Sequence, residues 1–131
     1  PYVFDTHSQA ALEEYYTRER QTSFAINPRE CLLVCTREKV GLPDDLMGFV
    51  NLRSTYTRLG LFSPCGVVQA GFNGQLTIEI IGGSFPLKIQ AGDRMFQMVF
   101  MMVSSNSKAT YKGRYQNQTG VTLPILNSKV D

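Results

Sequence analysis

Short apolar segments separated by glycine-containing turns recur along most of this sequence, and they constrain the fold more than any other feature. Candidate strands cover residues 23–26, 31–35, 46–50, 66–68, 75–81 and 95–103. Turn sequences separate them, among them Asn27-Pro28, Asn73-Gly74, Gly82-Gly83 and Gly92-Asp93. Short, regularly spaced strands predict a mostly β fold, a sandwich or barrel of jelly-roll type. Short helices are predicted over residues 10–20 and 55–59.

Composition limits the function classes. The chain has 131 residues, of which 43% are hydrophobic and 18% charged, so we expect one globular domain over residues 1–131. From about residue 104 the sequence turns polar and predicts a C-terminal tail. A net charge of +2 is too small for a protein that coats nucleic acid. No apolar stretch is long enough to span a membrane and no segment resembles a secretory signal, so we expect a cytoplasmic protein, in the host cytoplasm if the gene is viral.

The cysteine and histidine content bears on metal chemistry. Cys31, Cys35 and Cys65 form no CxxC pair, and the first two are predicted to be buried thiols in an apolar run. His7 is the single histidine, and we expect it on the surface. A zinc deaminase needs HxE and PCxxC elements, and the sequence contains neither. A deaminase with this sequence would therefore work without zinc, and no metal-ligand set is predicted.

Two neighbouring segments suggest nucleotide chemistry. In residues 53–58, Arg53 and Arg58 bracket the adjacent hydroxyls of Ser54 and Thr55. Guanidinium groups bind phosphate oxygens bidentately, and hydroxyls add hydrogen-bond donors. Alternation along residues 75–81 places Glu79 on the same face as Gln75 and Thr77. The alternative interpretation is a pair of surface cations on a short helix and a solvent-facing carboxylate on a half-exposed sheet.

These segments resemble a known family. RSTYTRLGL at residues 53–61 is similar to the RSSxxRLGL signature of dCTP deaminases, within the trimeric dUTPase-like superfamily. Other blocks resemble that family in the same order: LPDDLMG at 42–48, GFNGQLTIE at 71–79, AGDRMFQMVF at 91–100 and YKGRYQNQTG at 111–120. The resemblance covers roughly residues 23–124. It implies the dUTPase-like form of the β fold, with one or two short helices, assembled as a homotrimer with sites at subunit boundaries.

The resemblance also implies residue roles. Glu79 takes the position of the catalytic glutamate, and Arg58 and Ser54 take positions that hold this glutamate and the attacking water. The implied substrate is a deoxypyrimidine nucleoside triphosphate, with Mg²⁺ bound through the triphosphate. Phe72 takes the position of an aromatic under the deoxyribose, although simple core packing is an alternative. The further implied substrate-binding residues are Arg53, Thr55, Cys65, Gln69, Tyr111, Arg114 and Gln118, the last three belonging to a lid formed by the tail.

Three departures from the family pattern keep other functions open. Gln69 replaces an aspartate that in dUTPases orients the hydrolytic water, which disfavours dUTP hydrolysis more than deamination. Pro64-Cys65 replaces the usual Thr-Ala beside the base, so a modified cytosine nucleotide also remains a possible substrate. The sequence lacks the family's N-terminal SYDLRLG-like strand, which implies a trimmed chain or a compact, viral variant. The alternatives to a dCTP deaminase are a dUTPase or bifunctional enzyme, and a catalytically silent nucleotide-binding homologue.

Overall fold

Seven β-strands and two short helices make up the regular structure of the described residues, 3–104 and 110–126, in a computed structural model. The strands are β1 (Ser23–Ile26), β2 (Cys31–Gly41), β3 (Leu46–Leu52), β4 (Gly66–Val68), β5 (Asn73–Ile81), β6 (Leu87–Gln90) and β7 (Phe96–Met102). A 3₁₀ helix spans Gln9–Tyr15, and helix α1 spans Ser54–Arg58. This architecture confirms the predicted mostly β fold with one or two short helices. Within the described ranges, no helix is both long and apolar enough to span a membrane.

The strands pair antiparallel in three small sheets. β1 pairs with β6, β2 with β5, and β3 lies between β4 and β7. Among the described residues these sheets do not close into one continuous barrel. A bulge shifts the β2–β5 register between Cys35 and Lys39. The Thr36 side chain occupies this bulge, accepting a hydrogen bond from Leu76 N and donating one to Glu38 O.

Strand β5 joins two apolar clusters. Its Ile80 packs in a cluster with Ile26, Leu61, Ile89 and Met95, and its Ile78 packs in another with Leu42, Val50, Val68 and Phe72. The buried positions alternate with Thr77 and Glu79 along the strand, as expected for a sheet with one face on the core. The inner face of β5 therefore fixes the strand that carries Glu79.

Three local predictions need correction. Asn73 and Gly74 are the first residues of β5, and the turn lies earlier, where Phe72 N donates to Gln69 O. The helix predicted over residues 10–20 is a 3₁₀ helix that ends at Tyr15, because Leu12 is its sole buried anchor. Cys31 and Cys35 are exposed free thiols, since both lie on the outer face of β2. His7 is exposed, as predicted.

The sheet formed by β4, β3 and β7 presents an apolar outer face. Register places Val67, Phe49 and Val99 side by side across it, with Met101 beside Met47 in the next row. Val67 is 56% exposed, Val99 51% and Met101 50%. Contiguous exposed apolar patches on a folded chain mark interaction surfaces.

Candidate active site

A cleft of about 390 Å³ lies between β5, the segment around β4, and the tail. Its polar lining consists of Gln69, Thr77, Glu79, Gln118 and Thr122, and its aromatic lining of Phe72, Tyr111 and Tyr115. Among the described residues, Glu79 is the only charged side chain that lines it. The cleft therefore combines an apolar wall, several hydrogen-bonding groups and a single carboxylate.

Glu79 lies on the outer face of β5, directly opposite Leu33 of β2. Its side chain is exposed in the isolated chain. Cys31 is its diagonal neighbour on the same face, because Cys31 pairs with Ile81. The pKa of the Cys31 thiol is raised, first by partial desolvation and second by the nearby Glu79 carboxylate.

The proximity of Glu79 to Cys31 predicts that the Cys31 thiol becomes more reactive when the Glu79 charge is removed. Glu79→Gln removes the negative charge that disfavours the Cys31 thiolate, so the Cys31 pKa should fall and its alkylation at pH 8 should speed up. Iodoacetamide labelling followed by peptide mass spectrometry would measure each cysteine separately. Cys65 serves as an internal control. Unchanged labelling of Cys31 in this variant would contradict the contact with Glu79.

Phe72 and Tyr111 form the aromatic wall of the cleft. Their ring centroids lie 5.6 Å apart with a 57° interplanar angle. Phe72 is 5% exposed and belongs to an apolar cluster, so it packs in the core and lines the cleft at once. Gly71 makes this approach possible, since a Cβ there would lie 2.8 Å from Thr110 Cβ and 3.1 Å from Tyr111 N. Its φ of +87° also favours glycine.

The tail folds back onto its own chain. Tyr111 N donates to Ala70 O, and the Tyr111 hydroxyl accepts from Tyr115 N. Arg114 Nη1 donates to Ile125 O, 3.0 Å away. Gln118 Nε2 donates to Gln75 O at 2.7 Å. Of the three residues predicted to form the lid, Tyr111 and Gln118 therefore line the cleft, while Arg114 reaches toward the end of the tail.

Four further predicted site residues lie in helix α1 or directly before it. Tyr56 packs against the first apolar cluster, and the chain leaves the helix through Gly60, with φ +90°, to the buried Leu61. The polar side chains are left exposed, namely Arg53, Ser54, Thr55 and Arg58. Arg53 Nη1 donates to Arg94 O at 3.4 Å. None of these four residues lines the cleft with Glu79, so one chain holds the two groups of site residues apart.

The remaining assignments are mixed. Gln69 lines the cleft as predicted, but Cys65 does not, although its neighbours Pro64 and Gly66 do. Sequence reasoning did not assign Thr77, Tyr115 and Thr122 to the site. Thr77 could have been predicted, because alternation places it on the same face of β5 as Glu79. Thr122 could not, because it reaches the cleft only through the path of the tail. In the described part of the chain, no group of His, Cys, Asp or Glu side chains could hold a metal ion.

Comparison with known proteins identifies the family. Residues 2–103 match the family described as dCTP deaminase-like. The chain belongs to the dCTP deaminase-like family. The dCTP deaminase of Acidianus ambivalens is 49% identical over 110 residues, which are 84% of this chain and 64% of that protein. The chain therefore spans less than two thirds of that relative's length.

Two further proteins connect this dCTP deaminase-like chain to dUTPases. A probable deoxyuridine 5'-triphosphate nucleotidohydrolase of Sulfolobus islandicus rod-shaped virus 1 is 42% identical over 112 residues, covering 86% of this chain and 71% of that protein. The solved structure of a Staphylococcus bacteriophage 80alpha dUTPase with dUPNHPP superposes with a TM-score of 0.56 at 18% identity, covering 70% of this chain and 71% of the phage chain. The latter likeness establishes the dUTPase-like fold of this dCTP deaminase-like chain.

Proposed function

We propose that this protein is a dCTP deaminase that converts dCTP and water to dUTP and ammonia. The observation that carries the proposal is the position of Glu79, the one carboxylate that the described residues place in the cleft walled by Phe72. Its relatives support the choice of substrate, since the Acidianus protein of the same family is named a dCTP deaminase. Cytosine and deoxyribose would occupy the cleft, with the aromatic ring leaving little room for a 2′-hydroxyl.

The Glu79 carboxylate would move the protons of the reaction. Attack of water on C4 of cytosine requires a base to take one water proton. Glu79 would accept that proton, pass it to N3 of the ring, and carry the second water proton to the departing amine. The C4–N bond then breaks, ammonia leaves and the C4 carbonyl of uracil forms. Arg58 and Ser54 would hold the glutamate and the water in position.

A homotrimer would complete the site. Among the described residues no cation lines the cleft, whereas Arg53, just before α1, and Arg58, on α1, lie exposed outside it. We therefore assign Arg53 and Thr55 of one subunit to the triphosphate bound in the cleft of the next. The exposed apolar face of β4, β3 and β7 supports association between copies of this chain. Cover by a neighbour would also desolvate Glu79, which is exposed in the single chain.

Mg²⁺ would enter with the triphosphate. This ion prefers phosphate oxygens and water as ligands and is commonly bound through substrate phosphates. Neutralising part of the triphosphate charge is its role here, and the proton transfers described for Glu79 do not depend on it. Residues from about 104 onward act as the tail of the same domain, with Tyr111, Arg114 and Gln118 serving the bound nucleotide.

dUTP hydrolysis is the second candidate because a viral relative is named a probable deoxyuridine 5'-triphosphate nucleotidohydrolase. Gln69 weighs against it. An amide cannot act as a carboxylate base, and no second carboxylate lines the cleft in the described structure. Activation of water at the α-phosphate would then rest on Glu79 alone, which the proposed deamination already uses.

Separate product assays would decide between these reactions. The protein is incubated with dCTP or dUTP in the presence of Mg²⁺, and ammonia and pyrophosphate are measured independently. We expect ammonia from dCTP and no pyrophosphate from either nucleotide. Pyrophosphate from dUTP without ammonia from dCTP would identify a dUTPase. Binding of either nucleotide without any product would identify a silent homologue.

A further inference from the structure

The edge of β5 that faces away from β2 holds the tail by main-chain hydrogen bonds. Asn117 N donates to Asn73 O at 2.7 Å, and Gln75 N donates to Gln118 O at 2.9 Å. The main chain of Asn73 and Gln75 thus points away from β2 and toward the tail. A tail held along a strand edge in this way uses the same main-chain groups that bind a peptide by strand addition.

Gln75 links this edge to the bulge in β2. Its Nε2 donates to Thr36 O at 3.0 Å and to Arg37 O at 3.4 Å, while its Oε1 accepts from Gly120 N at 2.7 Å. One half-buried carboxamide therefore binds the bulge with its donors and the tail with its acceptor. Its main-chain carbonyl also accepts from Gln118 Nε2. Hydrogen bonds from one carboxamide to both segments favour a single arrangement of the bulge and the tail.

Thr77 continues the same edge toward Glu79. Its hydroxyl accepts from Thr122 N at 3.0 Å and lies 3.5 Å from Gly120 O, to which it donates. Gln75, Thr77 and Glu79 share one face of β5 because side chains alternate along a strand. Thr122, held by this face, lines the cleft together with Glu79, and so does Gln118, which the main chain of Gln75 holds.

Gly74 and Gln118 each affect how tightly the tail docks on β5. A Cβ at Gly74 would lie 2.9 Å from Gln118 O and 3.0 Å from Gln118 N, so glycine permits the close approach. Gln118 Oε1 is buried and has no hydrogen-bond partner. The orientation of this amide is fixed because the group facing Gln75 O must be a donor. A buried acceptor without a partner costs free energy, which weakens docking.

We propose that Gln75 and Thr77 are positioning residues that hold the tail over the cleft and thereby set the affinity for the nucleotide. The identity of the ligand in this inference rests on the proposed function. The docking of the tail on β5 is a property of the free chain and does not depend on that function. Neither residue needs to contact the reacting atoms. The side chain of Gln75 acts through Gly120, and that of Thr77 acts through Gly120 and Thr122.

Two variants and one control test the proposal. Gln75→Met keeps the length of the side chain but removes its three hydrogen bonds, and Thr77→Val keeps the β-branched shape but removes the hydroxyl. Gln90→Met on β6 makes the same chemical change on an exposed side chain away from the tail. Tryptic cleavage after Lys112 and Arg114 is followed by mass spectrometry without nucleotide, alongside thermal melting and the kcat and KM for dCTP.

Cleavage of the tail should speed up about tenfold in Gln75→Met and about threefold in Thr77→Val, with no change in the control. The KM for dCTP should rise by similar factors while kcat changes less, and the melting temperature should change little in Thr77→Val but fall in Gln75→Met, which also loses its bonds to the bulge. Unchanged cleavage in both variants, or faster cleavage with unchanged KM, would overturn the proposal. If the unaltered protein does not deaminate dCTP, the proposed function fails, and the cleavage rates still decide whether Gln75 and Thr77 hold the tail.

Discussion

Glu79→Gln is expected to lower the rate of dCTP deamination by about 10²-fold or more and to leave dCTP binding largely intact. The amide keeps the size and a hydrogen-bonding capacity of the carboxylate, but it cannot accept a proton from water and deliver it to the ring. Because Glu79 is the only charged group lining the cleft in the described structure, no other side chain there can replace it. Ammonia release under saturating dCTP measures turnover, and equilibrium dialysis with dCTP measures binding.

Glu13→Gln is the matched control, since Glu13 is an exposed carboxylate on the 3₁₀ helix, away from the residues that line the cleft. It should deaminate dCTP at the unaltered rate. Near-normal turnover in Glu79→Gln would remove the glutamate from the mechanism. A loss of binding together with turnover would instead assign Glu79 to substrate recognition.

Local sequence rules predicted the parts of this chain that depend on neighbours along the strand or helix. Alternation placed Glu79 on the outer face of β5, because Ile78 and Ile80 must turn toward the apolar clusters. Helix α1 and the glycine that ends it were also predicted from the local sequence. Gly60 adopts a positive φ where the chain turns to bury Leu61. The resemblance to the family supplied the predicted roles of these residues, which strand and helix periodicity alone cannot indicate.

Long-range contacts were beyond those rules. Cys31 and Cys35 lie in an apolar run, yet they point outward because the inner face of β2 is taken by Leu32 and Val34. The bulge in β2, the bond from Gln75 to Gly120 and the contact of Tyr111 with Phe72 join segments about 40 residues apart in sequence. No local pattern specifies such pairings. Alternation along β5 likewise predicts the face on which Glu79 lies but not how exposed that face is in a single chain.

Complementation between two inactive variants is the second large effect that we expect, and it tests the proposed division of the site between subunits. Arg58→Ala removes the cation on α1, and Glu79→Gln removes the carboxylate in the cleft. Each variant alone should lose most of its activity. A ring of three that contains both chains, in either 2:1 ratio, pairs an intact cleft with an intact neighbouring α1 at one site in three, so about one third of the unaltered activity should return in the mixed trimer.

The two chains are co-expressed with different affinity tags, the mixed species is purified through both tags in turn, and sedimentation establishes its mass. A species near three chains in mass with restored ammonia release would assign Glu79 and Arg58 to different subunits of one site. Arg53→Ala mixed with Arg58→Ala is the control, because both changes affect the segment formed by α1 and its N-cap Arg53, so no intact pairing can form. If the mixed trimer of Glu79→Gln and Arg58→Ala stayed inactive although it bound dCTP, both residues would belong to one chain's site. An active monomer would contradict the shared site as well, since no residue of helix α1 lines the cleft of a single chain.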